Sequence, residues 1–336
     1  MIRFTAKVSW ILAIYSLTAT NLEAAGPTTV RVDGSSTVFP VTEAVAEEFQ
    51  NLKKGKIRVT VGISGTGGGF KKFCRGEIDI QDASRPILKE EMEACKASGI
   101  KYFELPIAFD AMVIAVNPAN TLTNINVDDL KKMWEPGAQG KITTWKQVNP
   151  AWPDAPLKLF GAGSDSGTFD YFTEAVVGKS KSSRGDYTAS EDDNTLVQGI
   201  TNDKNAIGYL PFAYYEGNKS KLKALAVNGG AKAPKKGNIL PSAAAVEDGS
   251  YYPLSRPIFI YVSAKSASRP EVKEFTKFYL ENAANLTKQV KYVPLPASAY
   301  KIGLEHFEKN RLGTAFGGLP QVGMTIDAIL KKDAIL

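Results

Sequence analysis

Apolar and polar positions along the chain switch between a period of two and a period near 3.6, the pattern of alternating strands and helices. TTVRVDGSST predicts a strand running into a turn, and VFPVTEAVAEEFQ then carries apolar residues at helical spacing, with Ser36 or Thr37 placed as its cap. KIRVTVGIS predicts a strand, GTGGGFKKFCRGE a glycine-rich loop entering a helix, and IDIQDASRPI a short strand and loop. EEMEACKASG reads as a helix and KYFELPIAFDAMVIAVNP as long strands. Further on, VDDLKKMWEP is a helix, LKLFGAGSDSGTFDYFTEAVV a strand, loop and helix, and DDNTLVQGITND a capped helix. AIGYLPFAYYE predicts a strand, YYPLSRPIFIYVSA is strand-rich, and RPEVKEFTKFYLENAANLTKQV is a long helix before closing polar turns and short helices.

This order predicts an α/β fold of two hinge-connected lobes with a ligand cleft between them. The chain is expected to cross out near Asp110 to Val116 and return near Pro257 to Val262. Residues 25–112 plus 260–336 would then form one lobe and residues 113–259 the other.

The length of 336 residues suits two domains, and 43% hydrophobic with 23% charged residues excludes disorder. The first residues read as a signal peptide, residues 1–24. Arg3 and Lys7 precede the apolar run Val8 to Ala19, too short to span a bilayer, and small residues Ala24 and Ala25 follow. The protein is therefore expected in the periplasm.

Without that segment the net charge is about +5, against +6 for the whole chain, which favours an anionic partner mildly. The basic residues are scattered and form no stripe interleaved with aromatics, so nucleic acid is not an expected partner. The two cysteines, Cys74 and Cys95, are expected to pair in an exported chain, with two free buried thiols as the alternative. A single histidine, His306, and no Cys/His cluster argue against a metal site.

Three stretches put small hydroxyl residues beside glycine, namely VDGSSTVFP, ISGTGGGFKKF and GSDSGTFDYF. A serine hydrolase would need a histidine beside the serine, and His306 reads as a surface residue in a polar helical stretch. The nucleophile elbow is absent, because GSDSG places Asp165 where the serine must be. GTGGGFKK fits neither common nucleotide-binding template, since Phe70 stands where a glycine is required. Anion binding is the better account: each stretch follows a predicted strand and opens a predicted helix, where free N–H groups and hydroxyls meet an oxyanion. Plain N-capping is the alternative at any one of them. Arg85, in DASRP at a strand end, supplies a forked cation suited to the same ligand.

Together DGSSTVFP, SGTGGGF with DIQDASRPI, FGAGSDSGTFDYFTEA and the YTASEDDNTLVQGI to AIGYLPFAYY block resemble the PstS-type phosphate-binding proteins of high-affinity phosphate ABC importers. The likeness is closest to a cyanobacterial-like branch and runs in order along nearly the whole mature chain. It implies a periplasmic binding protein of the type II topology that closes on one dehydrated phosphate. Carried over by position, it implies contacts from Ser36, Thr37 and Val38, from Thr66 and Ser84, and from Ser166, Gly167 and Thr168. Two departures stand out: the better-known branch has an arginine where this chain has Ala162 and an aspartate where it has Ser164. The cation is then expected to be Arg85, or else Arg184. The carboxylate that accepts a hydrogen bond from protonated phosphate is open between Asp165, Asp110 and Asp82, and Ser64 is a further possible contact.

The expectation is thus a cofactor-free monomer, not an enzyme, that captures inorganic phosphate for the membrane permease subunits of an ABC importer. A binder of sulfate or molybdate is the same-class alternative, and a phosphatase using Ser166 or Asp165 the different-class one.

Overall fold

From Thr28 to Ala97 strands and helices alternate as the periodicity predicts, except that the glycine-rich stretch GTGGGF, expected as a loop, is already helical. The strands β1 (Thr28–Gly34), β2 (Ile57–Val61) and β3 (Ile80–Ala83) alternate with the helices α1 (Phe39–Leu52), α2 (Gly65–Cys74) and α3 (Lys89–Ala97). The structure is a computed structural model that describes residues 28–319 together with Met1, Val322 and Gly323. The expected signal peptide, Met1 apart, lies outside the described residues. Next comes β4 (Tyr102–Val116), one strand where several were expected, with every residue but Pro106 buried. Its unbroken apolar run fits a strand covered on both faces.

The middle of the chain builds β5 (Asn124–Asn126), α4 (Val127–Trp134), α5 (Trp145–Val148), β6 (Lys158–Ala162) and α6 (Gly167–Phe172). It continues through β7 (Thr188–Ser190), α7 (Asp193–Asn202), β8 (Ala206–Pro211) and α8 (Phe212–Gly217). AIGYLPFAYYE was expected to be all strand, yet it turns helical at Phe212. Pro211 has no N–H to continue a ladder, and the Phe212 N–H goes to Asp110 Oδ1 instead, at 3.2 Å. After β9 (Lys223–Ala224), β10 (Ala226–Asn228) and α9 (Ala243–Glu247), the chain returns through β11 (Ser255–Ser263). It closes with α10 (Pro270–Gln289), β12 (Val293–Pro294) and α11 (Ala297–Glu308).

One long strand joins the two lobes. The main sheet runs β2-β1-β3-β11-β4-β8-β6-β7, so β4 is shared by both halves. Residues Tyr102 to Ala111 of β4 pair antiparallel with β11, and from Met112 onward β4 pairs with β8 instead. β1 is parallel to β2 and β3, and β6 is parallel to β7 and β8, so each half has its own parallel set. In each set the carboxyl ends of the strands lead into α1, α2 and α6, where ligands of open α/β sheets bind.

Two local details set the first lobe's part of the cleft. The N-cap of α1 is Val38, without a side-chain cap, because the Ser35 carbonyl accepts from the Val38 and Phe39 N–H groups. This corrects the expected Ser36 or Thr37 cap and leaves both hydroxyls for other partners. The glycines of α2 allow close packing: a Cβ at Gly69 would stand 2.0 Å from Gln81 Oε1 and 2.7 Å from Gly34 Cα. That part of the glycine run serves helix-to-strand contact, not an anion.

Cys74, the last residue of α2, is bonded to Cys95 of α3, across a sequence separation of 21. The chain-entropy model assigns such a loop about 3 kcal/mol of stabilisation. Replacing both cysteines by serine is expected to lower the urea-unfolding free energy by about that amount, with little change in the far-UV spectrum.

Candidate functional site

The hydroxyl-rich stretches converge. Thr37 precedes α1, Thr66 lies in the first turn of α2, Ser84 follows β3, and Thr168 lies in the first turn of α6. Thr37 Oγ1 stands 3.0 Å from Thr168 Oγ1, Thr66 Oγ1 stands 3.1 Å from Ser84 Oγ, and Ser35 Oγ donates to Ser84 Oγ at 3.0 Å. The Ser84 N–H adds a bond to Thr66 Oγ1 at 3.1 Å. All five of these residues are buried. Gly167 is the wedge between the sets, because a Cβ there would lie 2.5 Å from Thr66 Oγ1 and 2.6 Å from Ser84 Oγ. Only glycine lets the start of α6 come this close.

The cation among these hydroxyls is Arg256, which sequence reasoning missed. It is the second residue of β11 and is fully buried. Its Nη2 donates to Thr168 Oγ1 at 2.7 Å and to Thr37 Oγ1 at 3.4 Å, and its Nη1 donates to the Gly167 carbonyl at 3.0 Å. Its Nη2 also meets Asp110 Oδ2 at 3.1 Å, in an ion pair with no exposed side-chain surface on either partner. One signal could have found it: SRP puts a lone charge inside a strand otherwise fit for a core, and a buried charge must be paired.

The two cations expected from the sequence are engaged with other partners. Arg85 is turned toward Glu91, which takes its Nη1 and Nη2 at 2.8 and 2.7 Å, and toward Asp170, which takes its Nε at 2.6 Å. Arg184 gives its donors to the Met133 and Ile142 carbonyls and to Asp186. Neither guanidinium bonds a hydroxyl of the cluster, whereas Arg256 bonds two of them.

The remaining expected contacts separate into three kinds. Ser166 is the N-cap of α6, its Oγ accepting from the Thr168 N–H at 3.1 Å, while the Val38 N–H is bonded to the Ser35 carbonyl. Ser36 Oγ donates to Asp193 Oδ2 at 2.8 Å and Ser64 Oγ donates to Asp33 Oδ1 at 2.5 Å. Among the three carboxylates left open, Asp165 pairs with Lys71 with its side chain 46% exposed, and Asp82 accepts from Thr42 in the core. Asp110 alone of the three pairs with Arg256, the cation among the hydroxyls.

Burial governs the acids here. It pushes Asp110 up to about 6 against the pull of Arg256, and Asp193 up to about 7 against the Ser36 hydroxyl. Burial also raises Asp82 well above the ordinary range, with the Thr42 hydroxyl opposing. A carboxyl raised in the fold binds protons that the unfolded chain has lost. Its contribution is then fully present below the unfolded value near 3.8 and is lost as pH rises through about 7 for Asp193. Asp193→Asn is expected to flatten the fall in stability between pH 4 and pH 7 by about 3 kcal/mol, read from urea unfolding across that range.

Comparison with known proteins agrees with this architecture. A PBP superfamily domain matches residues 19–283. Protein SphX of Synechococcus elongatus is 53% identical over 307 residues, covering 91% of this chain and 89% of that one. Phosphate-binding protein PstS of Staphylococcus haemolyticus is 38% identical over 281 residues, 82% of this chain and 84% of that one. The crystal structure of a possible phosphate binding protein from Planctomyces limnophilus shares 46% identity with a TM-score of 0.63, covering 85% of this chain and all of that one. A putative phosphate ABC transporter substrate-binding protein with bound phosphate, from Clostridium perfringens, shares 26% identity with a TM-score of 0.65 over 80% of this chain and 100% of that one. A sheet shared by two lobes, hydroxyls gathered where the lobes meet and relatives of this kind over most of the length lead to one family: the chain belongs to the PstS-type phosphate-binding proteins of the PBP superfamily.

Proposed function

We propose that this protein captures inorganic phosphate between its two lobes and delivers it to the membrane permease subunits of an ABC importer, working as an exported periplasmic monomer. The observation that carries the reading is the convergence of Thr37, Thr66 and Ser84 from one lobe with Gly167 and Thr168 from the other around the buried Arg256. Hydroxyls that now bond one another would each turn a proton toward a bound oxyanion, and Arg256 would add a charge-assisted pair. Their burial suits a dehydrated ligand.

The proposed hinge follows the pairing switch of β4. One lobe would run to Ala111 and resume at Ser255, where β11 begins opposite Ala111, with the other lobe between. That second boundary lies five residues before the expected residue 260. An anion bound on both sides of such a hinge favours closure.

Asp110 is the proposed selectivity residue. Phosphate keeps a proton near neutral pH and can donate to a carboxylate, whereas sulfate has none to give. A buried carboxylate facing sulfate meets unrelieved repulsion. Binding without turnover is favoured by the role of Ser166, whose Oγ caps α6, and by the placement of the single histidine, His306, on α11.

Calorimetry tests the reading. Tight phosphate binding with weak sulfate binding is expected, and the reverse order would overturn it. Arg256→Gln is expected to weaken phosphate by about 100-fold or more, since a buried pair loses its cation. Thr168→Val leaves the ion pair intact and is expected to cost about 10-fold, the worth of one hydrogen bond to a charged group. Gly167→Ala is expected to weaken binding as well, by forcing α6 off Thr66 and Ser84.

A further inference from the structure

Three ion pairs join the lobes beside the hydroxyl cluster: Lys71 with Asp165 at 3.1 Å, Lys181 with Glu90 at 2.9 Å, and Arg85 with Asp170 at 2.6 Å. The first two have side chains between 46% and 67% exposed, so water and salt screen them. The third is buried, with side chains 5% and 2% exposed. We propose that Arg85 and Asp170 form an interlobe latch, a pair of positioning residues that sets how long the closed state lasts without touching the anion.

The geometry separates the two halves of the latch. Arg85 is mounted on its own lobe, because Glu91 grips both terminal nitrogens and the Pro86 carbonyl accepts from Nη1 at 3.1 Å. Glu91 is itself held by the Leu88 N–H at 2.9 Å. The guanidinium therefore keeps its orientation whether or not the other lobe is present, with Nε aimed outward. Asp170 arrives from the other lobe on α6, three residues after Gly167 and two after Thr168. One helix thus carries both the proposed anion contacts and the latch carboxylate.

Asp170 depends on this partner. Its Oδ2 takes the Arg85 bond, and its Oδ1 is buried with no hydrogen-bond partner. A crevice of about 250 Å³ lined by Lys71, Glu90, Glu91, Asp165, Asp170 and Lys181 lies between the lobes at this place. When the lobes part, water can solvate Asp170 there. When they close, Arg85 must replace that water, so the pair is made and broken with each cycle. Contacts present only in the closed state act chiefly on the rate of release.

The inference rests on the reading that the lobes close around phosphate, and the test separates the two. Asp170→Asn keeps the size and removes the charge, while Glu91→Gln loosens the mount of Arg85 from the other side. Stopped-flow measurements are expected to show phosphate release from Asp170→Asn faster by about 10- to 100-fold, with association within a few-fold of the parent. Glu91→Gln is expected to move release in the same direction by less. The ratio of phosphate to arsenate affinity should stay unchanged in both. Fluorophores placed one on each lobe, read without ligand, should show a smaller closed fraction in Asp170→Asn than in the parent.

A changed phosphate-to-arsenate ratio would overturn the latch, because Arg85 would then touch the anion. An unchanged release rate together with an unchanged interlobe distance would overturn it too. A parent protein that binds no phosphate would sink the phosphate reading alone, and the ligand-free distance would then decide the latch.

Discussion

A single buried guanidinium organises the centre of this molecule. Arg256 is fully buried, so its charge is met by Asp110 and its remaining N–H groups by Thr37, Thr168 and the Gly167 carbonyl. Those partners lie on different parts of the chain. Asp110 is on β4 just before its pairing changes, Thr37 leads into α1, and Gly167 and Thr168 open α6. Satisfying one cation therefore fixes the register of β11 against β4 and the approach of α6 to both. Removing either member of such a pair leaves an uncompensated charge in a dry interior, a cost far above that of a surface pair.

Much of this was legible beforehand because it depends on short-range pattern. The alternation of strands and helices and the helix Pro270–Gln289 follow from periodicity, which local sequence carries directly, whereas Tyr102–Val116 was legible as strand but not as one unbroken strand. The convergence of Thr37, Thr66, Ser84 and Thr168 was also inferable, since each stands at the end of a strand, where α/β sheets gather their ligands. The identity of the cation was not. Arg85 adjoins Ser84 in sequence, yet its guanidinium turns to Glu91 and Asp170, partners that lie 6 and 85 residues away along the chain. Arg256 is remote from every hydroxyl stretch in sequence, and only the antiparallel pairing of β11 with β4 brings it beside Asp110.

The glycines carry a similar lesson about mechanism. GTGGGF reads as a cradle for an anion, but Gly69 is spent on contact with Gln81 and Gly34, and Gly65, with a φ of +73°, lets the Asp165 carbonyl come close. Gly67 then takes that carbonyl in a hydrogen bond at 2.8 Å. The same composition thus serves strand packing at one end and contact across the cleft at the other. A sequence pattern names what the backbone can do there, and the tertiary neighbours choose among the options.

The disulfide between α2 and α3 has a mechanical meaning as well as an energetic one. α2 begins one residue before Thr66 and α3 contains Glu91, so the covalent tie joins the segment that bears a cluster hydroxyl to the one that mounts Arg85. The two features on that side of the cleft are thereby held as one rigid jaw. In any closure of the proposed kind, hydroxyl and guanidinium on this jaw would travel together toward the opposing helix.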